Sequence, residues 1–194
     1  MSEKPEFAKE TENHTDEALM IRYQAGDMEA FHQLYLRYEK KLYNYLLKAV
    51  RDASKSADLF QETFLKLHRF RGQYNPPSSF APWFFAIAAN TVKNAFRAQR
   101  GNEEVITDEI QDEKRSTVSE PDRQVEAQEL GAAIEFALAS LPHNQREVIL
   151  LSKIEGFSYG EIAQVLGMTS NAVKQMAHRG LIALRKKLVQ WITP

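Results

Sequence analysis

Residues 141–188 read LPHNQREVILLSKIEGFSYGEIAQVLGMTSNAVKQMAHRGLIALRKKL, and this stretch decides the fold. Its second half spells a helix, a tight turn and a second helix. Ser158 is suited to cap the first helix by accepting a backbone N–H, and Glu161, one turn on, completes a capping box. Ile162, Ala163, Val165 and Leu166 form a buried stripe. Gly167 follows, where a helix stops with a residue that tolerates positive φ. Thr169 and Ser170 are good caps for the next helix, whose apolar face is Ala172, Val173, Met176, Leu181 and Leu184. Two short helices joined by a Gly-containing turn make a helix-turn-helix, and the small Ala163 lets them cross closely.

The second helix turns Ser170, Asn171, Lys174, Gln175, His178 and Arg179 outward, side-chain types that read base edges and grip phosphates. No Asp or Glu occurs after Glu161, whereas Lys174, Arg179, Arg185, Lys186 and Lys187 do. A one-signed end suits a polyanion. The competing reading of the same spacing is a three-helix bundle with a solvated basic face.

The whole chain bounds the rest. At 194 residues it holds one domain or two small ones, and 43% hydrophobic with 26% charged residues is a globular composition. Net charge is −1, so the distribution of charge carries the argument and its sum does not. There is no Cys, which removes disulfides, thiolate metal sites and Cys nucleophiles and suits a reducing cytoplasm. The acidic, polar N-terminus lacks the basic start and apolar run of a signal peptide. No apolar stretch is long enough to insert in a membrane.

Moving outward, residues 1–14 read as a disordered lead-in. A short helix is expected over 16–25, ended by Gly26-Asp27. A long one over 28–50 repeats Phe31, Leu34, Tyr35, Tyr38, Leu42, Tyr45 and Leu46 at helical spacing. A third spans 54–70, and a breaker-rich loop over 71–79 leads to a fourth over 80–100. Residues 101–126 carry nine acids against Lys114, Arg115 and Arg123, with few large apolar residues. This predicts a flexible acidic linker over 101–122. A further helix runs from about 123 to 141, with Val125, Leu130, Ile134 and Leu138 facing inward. No strand pattern appears. The fold class is therefore all-α: two small helical domains, 15–100 and 123–194, joined by the linker. Two weak modules on a tether suit a long, extended partner.

With these motifs in place, the chain resembles the bacterial RNA polymerase sigma factors of the extracytoplasmic-function type, in the sigma-70 family. The second half resembles sigma region four: Leu141-Pro142, Gln145-Arg146-Glu147-Val148, Glu155-Gly156-Phe157-Ser158-Tyr159, Glu161-Ile162-Ala163 and Leu166-Gly167. The first half resembles region two: the run from Ala57 to Leu67, then Phe70-Arg71-Gly72, Trp83, Ile87-Ala88 and Asn90. Both matches fall in the family's order and spacing.

The resemblance implies a role for each part. Asp58, Gln61 and Glu62 correspond to the surface that docks on the β′ clamp of core polymerase, and region four is expected to meet the β flap. The helix over 80–100 resembles the segment that reads and melts the minus-ten element. Its Phe80, Trp83, Phe84, Phe85 and Phe96 with Lys93, Arg97 and Arg100 suit unstacked bases, as aromatic platforms beside a basic track. Trp83, Phe84 and Ile87 also read as core residues. Asn90, Lys93, Asn94 and Arg97 are the stronger contact candidates, with Asn90 at the position that holds a flipped base. In the second domain Asn171, Lys174, Gln175 and His178 are candidates for base edges of the minus-thirty-five element. Arg179, Arg185 and Lys186, with Gln145 and Arg146 from the preceding helix, are candidates for phosphates. The family further implies promoter DNA and an anti-sigma factor as partners, a cytoplasmic location, no cofactor or metal, and no catalysis.

Three departures stand out. Met176 replaces an Arg common in the family's recognition helix, Ala86 and Ala89 lie where basic residues often flank the flipped-base Asn, and Gly180 interrupts the last helix. A Gly there costs roughly 1 kcal/mol relative to Ala and is expected to bend the helix. Two other classes stay open. A stand-alone helix-turn-helix regulator would need a dimer seam, which is not evident. A pure interaction module would not need the basic face after Glu161.

Overall fold

The structure is a computed structural model that describes residues 14–99 and 123–192. All regular structure among the described residues is helical. Of the lead-in only His14 is described, and the expected linker, with Arg100, lies outside the described residues.

The first unit holds α1 (Asp16–Gln24), α2 (Met28–Val50), α3 (Ala53–Phe70) and α4 (Phe80–Gln99). Side chains set each start. Thr15 Oγ1 accepts from Ala18 N at 3.2 Å, Asp27 from Glu29 N at 3.0 Å and Ala30 N at 3.2 Å, and Asp52 from Lys55 N at 3.0 Å. These oxygens satisfy N–H groups that the helices leave unpaired. The first turn of α4 is capped from a distance, because Glu17 Oε1 of α1 accepts from Phe80 N at 3.0 Å. Arg51, at φ 62°, ends α2 in the left-handed region. The α2 stripe of Leu34, Tyr38, Leu42, Tyr45 and Leu46 is buried as its spacing predicts.

The second unit holds α5 (Arg123–Ala139), α6 (His143–Ile149), α7 (Tyr159–Leu166) and α8 (Ser170–Ile192). A π-helical turn, Leu150–Ile154, extends α6. Its core is Val148, Ile149, Leu150, Leu151, Ile162, Val165, Val173 and Ala177. Two expectations change here. Leu138 of α5 is buried as expected, but Leu130 and Ile134 are exposed at 51% and 40%, and Ala133 and Ala137 complete the buried face in their place. The small alanines let α5 lie close, so the larger side chains point away. Gly180 has a packing reason: a Cβ there would sit 3.1 Å from Ile149 Cγ1 and 3.6 Å from Gln145 Cβ. Glycine lets α8 pass against α6, and no break in α8 accompanies it.

The two units share one hydrophobic core. Helix α4 packs along α7, and α2 meets α6. Phe85 of α4 touches Tyr45 at 5.3 Å and Phe157 at 5.3 Å between ring centroids, and Phe96 meets His143 at 4.8 Å. Tyr45 Oη donates to Glu147 Oε1 at 2.8 Å, Lys48 pairs with Glu135, and Arg51 Nη1 donates to Ala139 O at 3.4 Å.

Candidate nucleic-acid and polymerase interfaces

The helix-turn-helix is built as its sequence dictates. Ser158 Oγ accepts from Glu161 N at 3.3 Å, and Glu161 Oε2 accepts from Ser158 N at 2.8 Å. These bonds from Ser158 hold the Glu161 carboxyl below its usual range. Gly167 takes φ 64°, and Met168 N donates to Ala163 O at 2.9 Å, closing α7. Thr169 Oγ1 then accepts from Ala172 N at 3.2 Å, starting α8. Val173, Ala177 and Gly180 face inward.

That rotation leaves Ser170, Asn171, Lys174, Gln175, His178, Arg179, Arg185 and Lys186 exposed on α8. No carboxylate among the described residues forms an ion pair with these cations. The sequence places no acid beyond Glu161, so the surface keeps its single sign.

The two α6 candidates fall elsewhere. Gln145 is half-buried and faces Gly180. Arg146 is a correction. Its Nε donates to Leu138 O at 2.9 Å, its Nη2 to Ala139 O at 2.5 Å and Leu141 O at 2.9 Å, and its Nη1 to Ala49 O at 3.5 Å. The guanidinium caps the end of α5 and reaches the end of α2, so its donors are spent on carbonyls rather than left for phosphate.

On α4, Asn90, Lys93, Asn94 and Arg97 are exposed along one edge, while Arg100 lies outside the described residues. The aromatic platform is corrected in part. Phe84 is core, in line with the second of its two readings, while Phe80 and Phe85 are corrected: all three are 0–1% exposed, Phe80 stacks on Phe84 at 5.6 Å, and they offer no face to a base. Trp83 and Phe96 remain half-buried.

Asp58, Gln61 and Glu62 are exposed on α3. Leu65, 70% exposed, continues the same face one turn on. Its spacing from Asp58 and Gln61 was the signal in the sequence for it. Asp58 also rims a cleft of about 230 Å³ lined by Val50, Lys55, Leu59, Ala95 and Phe96. Glu62 is tied inward: Lys66 Nζ pairs with Glu62 Oε1 at 2.7 Å and donates to Thr91 Oγ1 at 3.1 Å. Thr91 is buried and next to Asn90, so this chain of contacts joins the α3 face to the α4 edge.

Glu147 lies under the α4 edge. Burial pushes its carboxyl up to about 7, opposed by the Tyr45 hydrogen bond and the charge of Lys93. Burial also raises the Tyr45 phenol well above its usual value. Among the described residues no His, Asp and Glu cluster is placed to hold a metal, and no helix is long and apolar enough to cross a membrane.

Two family models match the chain: Sigma-70 region 2 over residues 34–101, and Sigma-70, region 4 over residues 131–184. The chain is 35% identical over 169 residues to RNA polymerase sigma factor CarQ of Myxococcus xanthus, covering 87% of this chain and 95% of that one. It is 31% identical over 180 residues to RNA polymerase sigma-H factor of Pseudomonas aeruginosa, covering 89% and 93%. It is 30% identical over 185 residues to the ECF RNA polymerase sigma-E factor of Escherichia coli K12, covering 92% and 96%. Two solved structures share the fold. CnrH in complex with the cytosolic domain of CnrY gives a TM-score of 0.68 at 24% identity, over 90% of this chain and 97% of that one. The sigma factor RpoE in complex with the anti-sigma factor NepR, from Bartonella quintana, gives 0.62 at 23%, over 81% and 96%.

Proposed function

The chain belongs to the extracytoplasmic-function sigma factors of the sigma-70 family, a transcription initiation factor that directs core RNA polymerase to promoters, and on that footing we propose how its own residues divide the work. Domain 123–194 reads the minus-thirty-five element through α8. Asn171, Lys174, Gln175 and His178 meet base edges, and Arg179, Arg185 and Lys186 meet phosphates. The observation that carries this reading is the α8 face itself, exposed, amide-rich and basic, with no acid among the described residues paired to it.

Domain 15–100 takes core polymerase on α3, through Asp58, Gln61, Glu62 and Leu65, and the minus-ten strand along α4, through Asn90, Lys93, Asn94 and Arg97. An exposed amide beside cations suits a base extruded from the duplex and the backbone that flanks it. The residues act by binding and orientation, and the factor carries no catalysis of its own. It works in the cytoplasm, where the template is. The Bartonella quintana factor is seen with an anti-sigma factor, and a partner of that kind fits this chain too. A stand-alone regulator is not favoured, because residues 34–101 match a sigma region that such a regulator has no need of.

Footprinting of polymerase reconstituted with Lys174→Ala, Arg179→Ala or Asn90→Ala tests the assignment. Lys174→Ala is expected to weaken upstream protection and change sequence preference, Arg179→Ala to weaken it without changing preference, and Asn90→Ala to leave it while impairing melting. Unchanged footprints in the α8 variants would overturn the groove assignment.

A further inference from the structure

Lys66 of α3 stands between the two interfaces of the first unit. Its Nζ pairs with Glu62 Oε1 at 2.7 Å and donates to Thr91 Oγ1 at 3.1 Å. Thr91 Oγ1 in turn donates to Ile87 O at 2.8 Å, one turn back along α4. Thr91 is buried and the Lys66 side chain is 22% exposed, so the ammonium is held against α4 rather than free to swing. The Glu62 side chain is 49% exposed and opens onto the polymerase face of α3.

We propose that Lys66 is a further contact to the minus-ten strand, and that Glu62 masks its charge until core polymerase docks. The inference rests on reading α3 as the polymerase face and α4 as the track of that strand. An extruded base has a phosphate on each side, so cations serve best on both flanks of the residue that holds it. At 3.6 residues per turn, Lys93 and Thr91 fall on opposite flanks of the line that joins Asn90 to Asn94. The cations of α4 itself are Lys93 and Arg97, which cover one flank and the centre. Lys66, seated on Thr91, brings a cation to the other flank.

The pair with Glu62 withholds that charge in the free chain. A carboxylate in direct contact with the ammonium cancels most of the field that a phosphate further out would feel. An ion pair with a half-exposed partner is also weak, so a docking surface that offers its own donor to Glu62 displaces it at small cost. Lys66 then keeps its bond to Thr91, and its charge turns to the strand. Docking on α3 thereby strengthens the grip of α4 on the melted strand without moving either helix.

Glu62→Gln removes the mask at nearly constant shape, and Lys66→Gln removes the charge but keeps a donor for Thr91. Both are made in the full chain carrying Lys174→Ala/Arg179→Ala, which quiets α8. The probe is a short fluorescein-labelled oligo(dT) strand, since a phosphate contact does not depend on sequence. It is titrated by anisotropy over a salt series without polymerase. Glu62→Gln is expected to tighten binding about three-fold at low salt. It should also steepen the slope of log K against log salt by about 0.7, the mark of one more phosphate contact on a single strand. Lys66→Gln alone should change little, and Glu62→Gln added to it should bring no gain. No gain from Glu62→Gln, or an equal gain with and without Lys66, would overturn the mask. In polymerase reconstituted with the factor the mask is already off, so Lys66→Gln should there weaken opening of the minus-ten region several-fold. Unchanged opening would overturn the contact. Arg97→Ala binding oligo(dT) as tightly as its parent would instead sink the reading of α4 as the strand's track, a failure read on a different residue.

Discussion

The Tyr45 hydroxyl of α2 donates to Glu147 Oε1 of α6 at 2.8 Å, joining two units that the sequence separates by an acidic stretch. The bond is fully enclosed, with Lys93 of α4 close enough to favour the charged carboxylate and His143 Nε2 of the same helix 3.7 Å from Oε2. It ties three helices from both units to one carboxyl group.

That carboxyl makes stability depend on pH with a definite sign. Its pKa is about 7 in the folded chain against 4.5 in the open reference. Between those values the folded form holds a proton that the unfolded form has lost, so stability falls as pH rises through this window and levels above it. The difference amounts to about 3 kcal/mol. Glu147→Gln keeps a partner for Tyr45 and removes the titration. Urea midpoints of wild type and Glu147→Gln, compared from pH 5 to 8, should diverge steadily up to about pH 7. Parallel curves would contradict the assignment.

Gly180 and Gly131 should respond oppositely to alanine. At Gly180 the new Cβ meets Ile149 Cγ1 at 3.1 Å, whereas nothing lies within 4 Å at Gly131. The helix gains up to about 1 kcal/mol from Ala at either site. At Gly180 overpacking of about 1–3 kcal/mol outweighs it. Thermal melts should show Gly131→Ala raised and Gly180→Ala lowered by a few degrees each.

Lys66 links Glu62 to Thr91 and so braces the helix that carries Asn90. Lys66→Met removes one donor, and Thr91 keeps its bond to Ile87 O at 2.8 Å, so stability should change by no more than about 1 kcal/mol. Promoter melting, read by permanganate reactivity of the minus-ten strand, should fall several-fold while polymerase binding holds. Lys66→Arg should restore part of it. Equal loss of binding and melting would make Lys66 a polymerase contact instead.

Leu65 contributes little to folding at its exposure, so Leu65→Ala should leave stability within about 0.5 kcal/mol. As an apolar anchor beside Asp58 it should cost about ten-fold in affinity for core polymerase, measured by competition with a labelled wild-type factor.

Much of this was legible in the residues. The α2 stripe and the caps at Asp27 and Ser158 depend on local chemistry, and local chemistry is what a sequence records. The exposed set on α8 followed once Val173 was taken as inward. Arg146 was not legible, because the carbonyls it caps lie on α5 and α2, and only the fold brings them together. The packing of the two units on each other was missed for a related reason. Phe84, Phe85, Ala88, Ala89 and Val92 bury more of α4 than one partner layer requires, and a helix apolar on most sides has neighbours on most sides. Reading those aromatics as base platforms hid that signal.

This chain is expected to start transcription at promoters of its own. Purified protein, core polymerase and fragmented genomic DNA, with transcript starts mapped, test it most directly. New starts that share two spaced elements are expected, absent without the protein and lost with Lys174→Ala/Arg179→Ala. No protein-dependent starts, alongside specific DNA binding by the protein alone, would contradict it.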